Sequence, residues 1–337
     1  MVRYREMIKI IFSVFLIIVI SNIFFGLLEW VNLGFATYSD YYRRLGGINK
    51  HPNFYGAFIA YYVCLLGAPF LTGYKKFSAK LLIIPFLLGL RMIIPTNSRG
   101  AWIGIPPALW IIGFFRSKTV FVAITVLTIM IIIYPSLLPD TVENRFRGAL
   151  SLQQSPDIYA DAVTGDAGLA GVAIGAGETQ SISMQTRVIL IKGGLKLMKE
   201  NPWFGVGWGV FSHRIGDYTH EFTSKRFIQR FGYSLRGTAH NMFLRILCEM
   251  GLSALVVLGA LLFSFFKAAF YVYYREKDTM LKGMALGYMA SIGAIIACNF
   301  TGNRFDAVDL ISIFWMLSAC VLRLKDIIHY ERMREIY

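Results

Sequence analysis

Eight runs of mainly apolar residues fill most of this chain, near 8–28, 54–72, 79–96, 100–115, 119–138, 242–272, 281–300 and 308–322. A helix needs about 20 apolar residues to cross the hydrocarbon core of a bilayer. The third, fourth and eighth runs are short or carry a charge, and each reads as a tilted or broken span. The run from Ile8 to about Leu28 is long enough to stay in the bilayer, unlike a cleavable leader. Composition agrees. Of 337 residues, 56% are hydrophobic and only 16% are charged, which excludes a disordered chain, a fibrous one and an ordinary soluble enzyme. The expected fold is therefore an all-α polytopic membrane protein with about eight transmembrane helices.

Lys and Arg orient such a bundle, because cytoplasmic loops retain them. With the N-terminus inside, the inner segments hold sixteen, from Arg3 to Arg334, and the short outer loops hold five: Arg43, Arg44, Lys50, Arg99 and Arg304. Both termini are then cytoplasmic. The net charge of +14 marks that side and its lipid headgroups; no nucleic-acid partner is expected. Cys64, Cys248, Cys298 and Cys320 lie in or beside apolar runs and read as small buried hydrophobes, none at metal spacing.

The chain divides on this reading into N-terminal spans (1–138), a large extracytoplasmic loop (139–240) and C-terminal spans with a tail (241–337). The loop carries 11 Lys/Arg against 9 Asp/Glu, so its charge is nearly balanced. Its Gly/Ala-rich stretch 164–177 reads as a mobile linker. Residues 183–199 follow with helical periodicity: Met184, Val188, Ile191, Leu195 and Met198 form one stripe, with Arg187, Lys192, Lys196 and Lys199 off it. That pattern predicts an amphipathic basic helix on the outer membrane surface. Asn201-Pro202 ends it, and the glycines at 205, 207 and 209 make a tight turn region.

Three places carry candidate chemistry. Asn97 and Ser98 are N-cap residue types directly before an apolar run, which puts Arg99 in the first turn of a span. The helix dipole disfavours a cation there, so an anion must compensate, and the free N–H groups of the same helix end also bind anions. Arg187, in Gln185-Thr186-Arg187, opens a second helix in the same way, with an exposed basic face as the plainer reading. His240 stands at the mouth of the sixth span, where the dipole disfavours imidazolium and favours the neutral form a general base needs. Asn241 either orients it or caps the helix. Arg245 and Glu249, four apart, share a face of that span, as a structural pair or a polar lining. Walker, Rossmann, HExxH and CxxC motifs are absent, as is Asp-x-Asp from the outer loops. Phosphate on this face would be held by Arg; no metal or cofactor is expected.

Taken in order, these segments resemble the bacterial O-antigen ligase and O-antigen polymerase family. Ser98-Arg99-Gly100-Ala101 is similar to its Ser-Arg-Gly-Ala segment at the start of a span. Arg187 followed by Pro202-Trp203-Phe204-Gly205-Val206-Gly207 is similar to its second Arg and Pro-x-x-Gly-x-Gly turn. His240-Asn241 and then Glu249-Met250-Gly251 are similar to its closing signature, and Gly46-Gly47 with His51-Pro52-Asn53 to its Gly…Asn-Pro-Asn stretch. The resemblance runs from about residue 43 to 300. Family members often carry ten to twelve spans, against about eight here.

It implies metal-independent transfer of a glycan from an undecaprenyl-diphosphate-linked donor to a hydroxyl of a glycan, lipid A core or protein acceptor. The site would face outward from the bacterial cytoplasmic (inner) membrane. Arg99 and Arg187 would hold the diphosphate, His240 would act as base, and Asn97, Ser98, Asn241, Arg245 and Glu249 would line the substrate. The rival readings are a flippase of lipid-linked oligosaccharide, for which charges within spans are suited, and a surface sensor or scaffold using the loop as a binding module.

Overall fold

The computed structural model describes residues 2–36, 43–74, 80–138, 142–143, 176–223, 239–305 and 307–336. Among them the regular structure is helical: α1 Val2–Asn32, α2 Pro52–Leu71, α3 Ile83–Thr96, α4 Arg99–Arg116, α5 Lys118–Ile133, α6 Ala176–Met198, α7 Phe211–Thr219, α8 Met242–Arg275, α9 Thr279–Asn299 and α10 Val308–Ile336. Each of the eight apolar runs is a helix. Of these, α2 and α9 and nearly all of α1 and α8 are long and apolar enough to cross a membrane, while α3 and α5 are shorter apolar helices. Two compact units divide the chain: residues 1–133 with 259–337, and residues 134–258.

In the first unit α9 packs against α2 and α4, and α2 also packs against α3 and α4. These contacts enclose α2 and α9 almost completely, whereas α1 leaves Ile10, Ile17 and Phe24 exposed to meet lipid. Small residues allow the close approach. A Cβ on Gly287 would lie 2.9 Å from Leu65 Cα, and one on Gly104 would lie 2.3 Å from Cys298 Sγ. Enclosure also lets the inner helices carry polar groups, because each finds a partner: Asn299 Nδ2 donates to Tyr61 Oη at 2.9 Å, and Tyr62 Oη donates to the Leu310 carbonyl.

Ion pairs close one end of this unit. Arg5 pairs with Glu276 at 3.2 Å and with Glu331, and Lys9 pairs with Asp278 at 2.7 Å. Asp278 is also the N-cap of α9, accepting from the N–H groups of Met280 and Leu281 at 2.9 and 3.1 Å. Burial alone would raise its pKa. The hydrogen bond from Lys9 and the two N–H groups outweigh burial and hold it below the ordinary carboxylate value.

The second unit is built on α6, α7 and the first half of α8. Its core joins Ile189, Leu190, Leu197, Phe211, Ile215, Ala239, Leu244 and Cys248. Of the stripe expected on α6, Met198 packs against this core, but Val188, Ile191 and Leu195 are exposed. The buried face instead runs through Ile189, Leu190, Gly193, Gly194 and Leu197. Gly193 and Gly194 admit Ile215 and Leu244 against the backbone, with added Cβ atoms 3.3 and 3.1 Å from those side chains. Periodicity of large apolar residues misses a face whose centre is two glycines. The helix also begins at Ala176, earlier than expected. Residues 164–175 of the expected linker lie outside the described residues.

Candidate functional site

The first cluster sits at the break between α3 and α4. Thr96 ends α3, and Asn97 follows in the left-handed region at φ 50° and ψ 36°, its N–H donating to the Ile94 carbonyl at 2.9 Å. Asparagine tolerates that conformation better than most residues. Of the two N-cap residue types the sequence offers, Ser98 takes the extended N-cap position of α4. Asn97 is a C-cap of the preceding helix, and Ser98 makes no side-chain cap bond.

Arg44 fastens the break. Its Nε donates to the Thr96 carbonyl at 2.8 Å, and its Nη2 donates to the Asn97 carbonyl at 2.9 Å and to Asn53 Oδ1 at 3.1 Å. A cation is well placed on carbonyls at the C-terminal end of a helix. Nearby, Glu29 accepts the N–H groups of Gly46 and Gly47 at 3.2 and 2.6 Å, which gives the early glycine pair a structural task.

Arg99 opens α4, half-buried, as expected, and makes no hydrogen bond or ion pair with the described residues. Against the next residue, Gly100, packs the guanidinium of Arg304: a Cβ there would lie 2.6 Å from Arg304 Nη1. Arg304 is 5% exposed. Its Nη1 donates to the Cys298 carbonyl at 2.8 Å and its backbone N–H to Asn299 Oδ1 at 3.0 Å. His51, the N-cap of α2, accepts the Phe54 N–H on Nδ1 at 3.4 Å. Burial, with the charges of Arg44 and Arg304, pushes its pKa down and favours the neutral ring. Sequence reasoning used Arg44 and Arg304 to orient the bundle and named neither as a site residue. A signal was present, because cations on short outer loops run against the positive-inside tendency and call for a local reason.

The second cluster is in the other unit. His240 is exposed at φ 49°, in the left-handed region. Asn241 follows, and its Oδ1 accepts the Leu244 N–H at 3.1 Å, so the capping alternative holds for it. Arg187 is the twelfth residue of α6 and not its first, so the helix-mouth argument does not apply to it. Leu190, one turn further on, shares the buried core with Ala239, the neighbour of His240.

Arg245 and Glu249 form an ion pair at 3.1 Å. Glu249 is 2% exposed, and its other oxygen accepts the Phe211 N–H at 3.1 Å. Arg245 lies 4.7 Å over the ring of Trp208. Two residues past Glu249, the helix breaks at Gly251, with φ 77° and ψ −177°. The Pro202–Gly207 turn completes the break. Val206 and Gly207 donate to the carbonyls of Cys248 and Glu249 at 2.9 Å each, while Leu252 and Ser253 donate to Pro202 and Trp203 at 2.8 and 3.3 Å. Added Cβ atoms at Gly205 and Gly251 would strike the opposing backbone at 2.3 Å. The Pro-x-x-Gly-x-Gly and Glu-x-Gly segments are thus two halves of one joint.

Among curated proteins, none is significantly similar to this chain. A family model described as O-antigen ligase matches residues 84–259, which is 176 of the 337 and runs from α3 through the α3–α4 break, α6, the turn, His240 and the Gly251 joint. The chain belongs to the O-antigen ligase family.

Proposed function

We propose that the chain transfers a glycan from an undecaprenyl-diphosphate-linked donor to an acceptor hydroxyl, as a ligase or polymerase, at the outer face of the bacterial cytoplasmic membrane. Membership of the family makes it a membrane glycosyltransferase-type enzyme acting on a lipid-linked glycan and an acceptor. The observation that carries the finer reading is Arg99 at the first turn of α4, a half-buried cation held by no described group. An unbalanced cation at a helix N-terminus is a site awaiting an anion.

In this mechanism Arg99 and Arg187 hold the donor diphosphate and stabilise the charge that grows on it. His240 accepts the proton of the acceptor hydroxyl. The acceptor oxygen bonds to the anomeric carbon as that carbon's bond to the phosphate oxygen breaks. Undecaprenyl diphosphate leaves with the electron pair. Asn241 positions His240 through the helix cap, and Asn97 and Ser98 shape the mouth of α4. Arg245 and Glu249 act by position, fixing the joint beside Trp208. Both termini are cytoplasmic, and the segment 139–240 lies outside with α6 along the membrane surface.

The test is a glycan profile of the native host after deletion of the gene and complementation with wild type or His240→Ala. Polymerase activity predicts single repeat units in the deletant; ligase activity predicts full-length chains held on the lipid carrier. In either case His240→Ala does not restore the product. Repeat units trapped on the cytoplasmic side would sink the assignment in favour of a flippase.

A further inference from the structure

We infer that Arg304 is a further ligand for the donor's diphosphate, holding a phosphate oxygen at the mouth of α4; this rests on the reading of Arg99 above. Arg304 is almost wholly buried, yet no described carboxylate lies within ion-pair distance of it. A buried cation without a counter-ion is costly unless a ligand supplies the charge. Elsewhere at this end Glu29 is already engaged by Gly46 and Gly47, and Arg44 adds to the positive charge.

The position of Arg304 is built, not incidental. Asn299, 1% exposed, links its backbone N–H to the Tyr61 hydroxyl. Glycines clear space for the guanidinium on two sides: a Cβ on Gly302 would lie 2.7 Å from Arg304 Cζ, and one on Gly100 would lie 2.6 Å from Nη1. Gly100 is the second residue of α4, so the guanidinium abuts the turn whose first N–H groups have no intrahelical partner. Ser98, the N-cap of that helix, is 1% exposed, and its hydroxyl meets no partner among the described residues. A buried arginine, a partnerless hydroxyl and an uncapped helix start, on residues 98–100 and 304, together suit a phosphate group. The glycine of the Ser-Arg-Gly segment then has a reason: any side chain at 100 displaces Arg304.

The experiment measures binding of inorganic pyrophosphate and of undecaprenyl diphosphate to the purified full chain in lipid nanodiscs. Wild type is compared with Arg304→Gln, Arg304→Lys, Gly100→Ala and Arg99→Ala, and each protein is also melted with and without ligand. Arg304→Gln and Gly100→Ala are expected to weaken both ligands by at least about tenfold, as loss of a charge-assisted hydrogen bond does, with Lys partly restoring affinity. Arg304→Gln without ligand is expected to melt no lower than wild type, since it removes a buried charge that has no counter-ion among the described residues. Unchanged affinity with a lowered melting temperature would make Arg304 only a C-terminal tie for α9 and overturn the inference. Loss of pyrophosphate binding alone, with undecaprenyl diphosphate unaffected, would place Arg304 on free phosphate and overturn its donor role. If Arg99→Ala loses binding while Arg304→Gln keeps it, the proposed function stands and this inference falls. If wild type binds neither ligand, both fall.

Discussion

A histidine in the left-handed region carries a conformational cost of roughly 1–2 kcal/mol that glycine escapes. His240, at φ 49° and exposed, is such a residue, so its effects on activity and on stability can be separated. His240→Gly is expected to melt no lower than wild type and yet to lose transfer by about 10²-fold or more, the scale of general-base catalysis; a variant that keeps its rate removes His240 from the mechanism. Arg99→Ala is expected to lower kcat/KM by about 10²–10³, as at other preorganised anion sites. The placing of Arg99 was legible because an apolar run starts right after Asn97-Ser98. The conformation of Asn97 was not, because cap-forming residues also tolerate the left-handed turn, and only the short passage from α3 to α4 decides between them. Arg187 was misplaced for a related reason: the start of α6 lies in Gly/Ala-rich sequence that carries no apolar period to count.

Two elements make stability predictions of their own. The break in α8 needs Gly251, whose φ and ψ are essentially closed to other residues and whose added Cβ would meet Trp203 at 2.3 Å. Gly251→Ala is expected to cost at least about 2 kcal/mol and to make the 202–209 turn more sensitive to protease; a variant as resistant as wild type would mean that the turn is held without the joint. At the start of α9, the Asp278 pKa is depressed in the folded chain from an ordinary value of 3.8. The stability it adds is therefore fully present above about pH 4 and lost as pH falls through the lower folded value. Asp278→Asn keeps a capping oxygen but drops the Lys9 pair, so a melting series from pH 7 to 3 is expected to lose part of its acid-limb slope in the variant. Both motifs were visible in the sequence as Pro-x-x-Gly-x-Gly and Glu-x-Gly. That they are two sides of one joint was not visible, because the pairing is between backbone groups some 45 residues apart, and no side-chain pattern records it.

Over the whole chain, run length told the helices directly, since each apolar stretch is its own signal; where chemistry interrupts those helices needed the structure. The interruption at Gly251 also predicts a depth on the proposed topology. From Leu252 to Arg275, α8 runs 24 residues, about 36 Å at 1.5 Å per residue, a little more than the roughly 30 Å of hydrocarbon core. On the proposed topology the charged sequence Arg275-Glu276-Lys277-Asp278 ends that stretch at the cytoplasmic surface, and helix length would put the joint near the outer one. Pro202 and Trp203 accept the N–H groups of Leu252 and Ser253, and Trp203 and its neighbour Phe204 are 62% and 74% exposed. Tryptophan at that level favours the lipid–water interface. With the other five tryptophans replaced by phenylalanine and the chain in bilayers of lipids brominated at defined acyl positions, Trp203 fluorescence is expected to be quenched most by bromine near the headgroup end and least at the chain terminus. Quenching that is absent at every depth would put the turn in water and break the link between the α8 joint and the membrane surface. Strongest quenching at mid-bilayer would break it too, because the span from 252 to 275 would then be too short to hold Arg275 at the opposite face.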